Sequence, residues 1–391
     1  MKKASKNECQ RIVLVGHPFA PIGRGEDIRC AFRAFREVGM SPLIRDIYAL
    51  EPPSDPEILD YLVDDLSHNV NIFFINGDEV PQVLKHLGDK LPDSAYNIIY
   101  PQWELSLYPS EWAKNLDLFD EVWAPSQFVF ESLRQAVSKP VYYMPLPVEI
   151  RLTSFLGRRY FDLPESSYLY LFFFDLRSYI ERKNPFAVIK AFEEVCVLRP
   201  REDIRLVIKL NRPTRLRELV KDFRYFVKFV NNSTAKDKII VIDQLLTNNE
   251  IKNLIRCCDC FVSLHRSEGF GRGMAEAMFL GKPVIATGYS GNLDFMNENN
   301  ALLVKYKLIN VKQGHYPYAE NQVWAEPDIS DAVNHMVKLL DNKAWGRQLG
   351  QIASRHIRIY FSFRAIGLHY KRRLNSILQT QKITEVEESC L

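Results

Sequence analysis

Short apolar runs recur along the chain and alternate with longer segments whose apolar positions return every three or four residues. Ile12-Val13-Leu14-Val15 is the first such run and predicts a buried strand. The segment after it places Ile28, Ala31, Phe32, Phe35 and Val38 on one helical face, with Gly39 suited to its end. Ile72–Ile75, Glu121–Ala124 and Val141–Met144 are further strand candidates. Met144-Pro145-Leu146-Pro147 then breaks the pattern, because two prolines around one residue disfavour both helix and central strand. A second cycle follows through Tyr168–Phe174, Arg205–Lys209, Ile239–Ile242, Cys260–Leu264 and Pro283–Thr287. A late amphipathic helix carries Ile329, Ala332, Val333, Met336, Val337 and Leu340. Strand and helix in alternation predict parallel α/β sheets. Two domains are expected, 1–148 and 149–361, with the linker near 145–165. A C-terminal helix over about 362–380 is expected to return to the first domain, and 381–391 reads as a solvated tail. No repeat at a solenoid period and no low-complexity tract appears.

Composition changes this picture little. The 391 residues suffice for two domains, and 47% hydrophobic residues supply their cores. A formal charge of +3 is too small to argue for nucleic acid as a partner. The start, Met1-Lys2-Lys3-Ala4-Ser5-Lys6, is basic without the apolar stretch of a signal peptide, and no window offers the ~18 apolar residues of a spanning helix. A cytoplasmic location is therefore expected, with at most a peripheral contact at the inner face of the membrane. Lys221–Phe229, mixing bases and aromatics, is the candidate for that contact, against the alternative of a packed helix. Cys257, Cys258 and Cys260 enter an apolar run and read as reduced core thiols rather than metal ligands.

Residues 260–287 carry the candidate chemistry. They read as strand, glycine-rich loop, helix, turn and strand. Gly269, Gly271 and Gly273 allow close backbone approach, and a helix starting near Gly273 turns free N–H groups and its positive dipole end to the same place. That is an anion site suited to a diphosphate. Glu268 and Glu276 flank it, and carboxylates accept hydrogen bonds from hydroxyls. The layout fits a molecule with hydroxyls at both ends and a diphosphate between them, as in a nucleotide sugar.

The same segment resembles the retaining glycosyltransferases of family 4. The resemblance rests on Glu268 and Glu276 around Gly269-Phe270-Gly271, on Glu276-Ala277-Met278 and on Gly281-Lys282-Pro283-Val284. Asn76-Gly77-Asp78, Trp103-Glu104-Leu105, Glu121–Ser126, Arg182–Pro185, Tyr289–Asn292 and Trp324–Pro327 extend it toward polysaccharide and O-antigen-type members. It departs at Arg272-Gly273, where small or apolar residues are usual. The resemblance implies GT-B architecture, in which two Rossmann-like parallel-sheet domains face a central cleft. By resemblance Glu268 meets the donor sugar, Glu276 the ribose, and the amides of Phe270 and Gly271 the sugar and distal phosphate. Lys183 and an arginine, Arg177 or its rival Arg182, are the expected diphosphate clamp. Gly23 and Gly25 are the glycines that face the donor phosphates in the family, although a plain strand-to-helix turn explains them equally. On the acceptor side no histidine stands in Tyr100–Leu105. Glu104 is the candidate polar group, Trp103 the candidate stacking platform, each set against a helix-start or core role. His17 is a further pocket candidate, and His265 precedes the loop and is placed to orient it.

The resemblance implies transfer of a hexosyl group from GDP-mannose or a UDP-sugar to a saccharide or lipid-linked saccharide. The nucleotide sugar is a co-substrate, and no further cofactor is expected. No Asp-x-Asp ends a strand, so a metal-free site is expected, with cations stabilising the leaving phosphate. Two readings compete, a non-catalytic carbohydrate-binding scaffold and a dinucleotide-dependent oxidoreductase. The spread from Gly16 to Gly25 is too wide for a dinucleotide fingerprint.

Overall fold

A strand that is apolar on both faces must be covered on both, and the strands of this chain are. The computed structural model describes residues 11–52, 54–88, 90–211 and 219–389. The basic start Met1–Lys6 and the side chains of 381–391 lie outside the described residues. β1 (Ile12–Gly16), β2 (Leu43–Asp46), β3 (Val70–Phe73), β4 (Tyr96–Ile99), β5 (Glu121–Ala124) and β6 (Val141–Tyr143) form one six-stranded sheet, in the order β2-β1-β3-β4-β5-β6. β7 (Tyr168–Asp175), β8 (Ile204–Asn211), β9 (Ile239–Ile242), β10 (Cys260–Ser263), β11 (Val284–Thr287) and β12 (Leu302–Val304) form another, in the order β12-β11-β10-β7-β8-β9. Every neighbouring pair in both sheets is parallel. This is the doubled α/β pattern of the GT-B fold.

The chain divides into two units. One comprises Met1–Gln102, Tyr108–Pro147 and Phe361–Leu391, and the other Trp103–Leu107 with Val148–Tyr360. In the first, the helix Phe363–Ser389 packs on the helix Gly23–Glu37, Tyr370 lying 4.9 Å from Phe35 and stacking on Trp123 at 5.2 Å. Glu121 is wholly buried there. It accepts from Trp123 Nε1 at 2.6 Å and Tyr96 Oη at 3.0 Å, and pairs with Arg373. In the second unit, Tyr170, Phe172, Ile189, Phe192, Ile208 and Met336 belong to one core around the sheet. The helix Leu219–Asn231 sends Phe226 into that core with Phe223, Val227 and Phe229 packed against it. Three aromatics of Lys221–Phe229 are thus engaged in packing, as in the packed-helix alternative, while Tyr225 stays exposed. Cys257, Cys258 and Cys260 are free thiols, the last two buried.

Some elements differ from the pattern-based expectation. β3 ends at Phe73, two residues before Ile75. β2 and β4 were not anticipated. β2 is a half-buried edge strand with Arg45 and Asp46 in it, so its apolar signal is weak. β4 contains Asn97, whose buried amide meets Asn71 at 2.9 Å and whose N–H donates to Asp120 at 2.7 Å. Satisfied in this way, a polar residue is tolerated inside a sheet. An antiparallel pair, β13 (Tyr306–Asn310) and β14 (Val323–Pro327), adds to the elements that the pattern predicts.

Candidate functional site

In the second sheet, successive strands run one way from β7 through β8 to β9 and the other way from β10 through β11 to β12. Loops leaving β7 and β10 therefore diverge, and the crevice beyond the strand ends is where α/β sheets bind ligands. The loop after β7 contains the short helix Ile180–Lys183, closed by Asn184 at φ 53°. The loop after β10 runs from Leu264 to Gly271 and starts the helix Arg272–Phe279. The two loops are stitched together. Arg266 N–H donates to the Arg182 carbonyl at 2.8 Å, and the Asn184 amide to that of Leu264 at 3.0 Å.

This stitching gathers four of the sequence-predicted residues. Glu268 pairs with Lys183 and lies 3.3 Å from Arg182 Nη1. Arg182 Nη2 lies 3.6 Å from Glu104, so one guanidinium bridges two carboxylates. Burial alone would push the Glu268 carboxyl up, but Lys183 and Arg182 outweigh it and hold it down at about 2. Burial pushes the Lys183 ammonium down, against the pull of Glu268. Arg182 has a side chain only 4% exposed and spends its remaining donors on the Ser267 and Ser178 carbonyls. It is built in as an orienting group, whereas Lys183, 19% exposed, presents its charge to the surface of the site. Arg177 is bonded to Asp175 at 2.7 and 3.0 Å.

Glycines fix the loop beside these charges. Gly271 adopts φ +94°, a conformation costly for other residues, and is the N-cap of the helix whose first turn leaves N–H groups without helical partners. Phe270 turns its ring into the interior against Phe295 at 5.2 Å. Gly291, unnoticed as a contributor to the loop, lets two backbones touch. A Cβ there would lie 2.0 Å from the Gly269 carbonyl oxygen. Gly273 answers a packing need, since its Cβ would strike the Phe173 ring at 2.6 Å. Glu268 N–H donates to Ser290 Oγ at 2.8 Å, and its carbonyl accepts from Gly291. His265 is fully buried. Its Nε2 faces two acceptors, the Tyr289 carbonyl at 3.3 Å and Asn292 Oδ1 at 3.2 Å, so that nitrogen carries the proton and Nδ1 accepts from Ser263. It orients the loop.

Glu276 lies one turn into the same helix, buried and paired with Lys252 of the helix Asn248–Cys257. Lys252 itself is buried and was not picked out from the sequence, where a lone lysine on an amphipathic helix carries no signal.

On the expected acceptor side, Glu104 accepts from the Tyr316 hydroxyl, and its carbonyl accepts from Ser267 Oγ. Trp103 is buried, with its indole N–H on the Leu107 carbonyl at 2.9 Å and its ring 5.6 Å from Tyr316. Its ring is enclosed by the protein, which corrects the stacking-platform expectation in favour of a core tryptophan. Gln322 holds Leu107 from both sides, accepting from its N–H at 3.1 Å and donating to its carbonyl at 2.6 Å.

The remaining predicted residues belong to the first unit, at the corresponding switch between β1 and β3. His17 lies 3.7 Å from Glu79, which also pairs with Arg24 between Gly23 and Gly25. Burial would raise the Glu79 carboxyl, yet the nearby His17 ring and the Arg24 charge hold it at about 2. Gly25 is required by the turn, since a Cβ would meet the Ala20 carbonyl oxygen at 2.2 Å, whereas Gly23 faces open space.

No helix among the described residues is long and apolar enough to cross a membrane. Among the same residues, no group of three His, Cys, Asp or Glu side chains is arranged around a common point.

Comparison with known proteins agrees with this fold. No curated protein matches the sequence. The solved structures similar to the chain include a sucrose-phosphate synthase from Thermosynechococcus elongatus, at 15% identity and a TM-score of 0.70, covering 95% of this chain and 100% of that one. HepE of Anabaena, solved with UDP and glucose, is 12% identical with a TM-score of 0.67, covering 94% and 100%. A glycosyltransferase from Rickettsia africae is 13% identical with a TM-score of 0.66, covering 95% and 99%. Residues 167–313 match the family described as glycosyl transferases group 1. That stretch contains Lys183, Lys252, Glu268 and Glu276. The chain thus has a GT-B fold, and residues 167–313 within it are similar to the glycosyl transferases group 1 model.

Proposed function

We propose that the protein is a retaining glycosyltransferase, moving a hexosyl group from a nucleotide-diphosphate sugar to a saccharide or lipid-linked saccharide without a metal ion. The observation that carries this reading is the Lys183–Glu268–Arg182 cluster beside Gly271, where a cation, a carboxylate and a helix N-terminus meet at the switch point of the sheet. In the reaction, the bond between the anomeric carbon and the diphosphate oxygen breaks and its electron pair leaves with the phosphate. Lys183 and the helix N-terminus stabilise that charge. Glu268 holds the sugar hydroxyls, Glu276 the ribose, and the amides of Phe270 and Gly271 the sugar and distal phosphate. The acceptor hydroxyl attacks from the face of the leaving group and gives its proton to the departing phosphate. Retention follows, because Glu268 and Glu276 are committed to the donor and neither serves as a base on the opposite face. Glu104, tied to Arg182 and Tyr316, shapes the acceptor side.

UDP-sugars and GDP-mannose are the donors to test first, the former because HepE was solved with UDP and glucose. Nucleotide release with each donor in EDTA, followed by proton NMR of the fresh product, tests the reading. An α-linked donor yields an α-linked product. A β-linkage overturns the front-face mechanism, and loss of turnover in EDTA that is restored by Mg²⁺ overturns the metal-free site.

A further inference from the structure

The helix Lys343–Tyr360 carries Lys343, Arg347, Arg355 and Arg358 and no Asp or Glu. Leu349, Ala353 and Ile357 turn inward, leaving Ile352, Arg355 and Ile359 on an outer face, where Ile352 is 47% and Ile359 56% exposed. Arg355 and Arg358 line an open groove of about 520 Å³ together with Arg256, Phe279 and Ile359. The groove lies at the C-terminal end of the helix Arg272–Phe279, away from Gly271 at its start.

Three features set the groove apart. None of its lining residues is acidic. Among the described residues its arginines touch only neutral partners. Arg256 bonds Asn253 and the Leu156 carbonyl, and Arg358 bonds Ser354 and the Phe279 carbonyl. Other arginines of this unit are matched by carboxylates, as in Arg158–Asp259, Arg199–Asp341 and Arg266–Glu326. Finally, large apolar side chains stand beside the charges. Arg256 lies 5.3 Å over the ring of Phe155, which is 78% exposed.

We propose that this face docks on an anionic phospholipid surface. Arg256, Arg355 and Arg358 meet the headgroup phosphates, and Phe155, Ile352 and Ile359 enter the interfacial layer. Cations at the surface with apolar side chains beside them match the two-part character of that interface. A free phosphate would use the arginines alone and leave the apolar side chains without a role. The inference concerns a surface away from the candidate donor site and stands independently of the glycosyl-transfer reading.

Co-sedimentation of the full-length protein with phosphatidylcholine vesicles, with and without phosphatidylglycerol, tests it. Partitioning is expected only with phosphatidylglycerol and weakens as salt rises. Arg355→Glu/Arg358→Glu lowers it by at least about 100-fold, since each basic residue near the surface adds a separate electrostatic increment. Arg355→Glu alone breaks no hydrogen bond among the described residues and still lowers it by about tenfold or more. Phe155→Ser lowers it while leaving the salt dependence in place. Thermal melting of Arg355→Glu and of Phe155→Ser matches the wild type. Absence of wild-type partitioning, equal partitioning onto pure phosphatidylcholine, or Arg355→Glu behaving as wild type overturns the proposal. So does stabilisation by inorganic phosphate without vesicle binding, which would mark a soluble-anion site, or retention of RNA in place of vesicles.

Discussion

Lys183 and Lys252 are both lysines facing a glutamate, yet they differ in what lies beyond the pair. Lys183 borders the surface of the site, while Lys252 sits beneath Glu276 with both side chains enclosed. Lys183→Met should therefore lower turnover about 10²–10³-fold, with a smaller loss in donor binding, because its charge matters most as the phosphate departs. Equal losses in kcat and in calorimetric affinity would make it a binding residue only. Glu276→Gln should weaken donor binding by an amount matching one charge-assisted hydrogen bond, ~1.5–3 kcal/mol. Lys252→Met should do nearly the same without touching the donor, and the double variant should lose little more than either single one. Additive losses in calorimetry would separate the two residues. Glu268 also ties the fold to pH. Its carboxyl titrates near about 2 in the folded chain, below its ordinary value of 4.5, so its ionisation stabilises the fold above that ordinary value. The contribution is lost as pH falls from there toward about 2. Urea midpoints of wild type and Glu268→Gln should differ most at neutral pH and converge in acid. A gap that persists in acid would refute the assignment.

At the scale of elements, both clusters of polar residues lie where strand order reverses, β7 against β10 and β1 against β3. The apolar runs were legible because strands buried on both faces need no alternation. β2 and β4 were not, because an edge strand and a strand holding Asn97 show little apolar excess. The glycine loop and its two glutamates were readable from spacing within one segment. Ser290 and Gly291 stood in a segment marked by resemblance but without a role, whereas Lys252 and Tyr316 were hidden because their contacts are made across the fold, 24 residues apart for Lys252 and Glu276 and 212 for Tyr316 and Glu104. Gly291→Ala tests this most sharply. The new Cβ would press on backbone rather than on a yielding side chain, so the loop must move. A loss of ~1–3 kcal/mol in stability, with weakened donor binding, is expected in denaturation and calorimetry. Wild-type values for both would show that the loop accommodates the methyl group.

For the whole molecule, the controlling fact is that the first unit is closed by the last helix of the chain. Glu121, wholly buried in that unit, has Arg373 of that helix as its ion-pair partner. Arg373→Met should cost ~3–5 kcal/mol, the usual penalty for stranding one member of a buried pair. Arg373→Met/Glu121→Gln should recover part of the loss, and failure of any rescue in chemical denaturation would assign the cost to packing of the arginine stem instead.

That closure has a bearing on how the protein is made. A ribosome delivers the first sheet early, but Phe35, Trp123 and Glu121 then wait for Tyr370 and Arg373 until all of Val148–Tyr360 has been synthesised. At cellular elongation rates that interval is on the order of ten seconds or more. The second unit, apart from five residues, is continuous in sequence and is delivered whole before the first is complete. The half that emerges first is thus the half that finishes last, and a nascent chain stalled before Phe361 presents an apolar helix face and a lone buried-site carboxylate to whatever binds unfinished proteins.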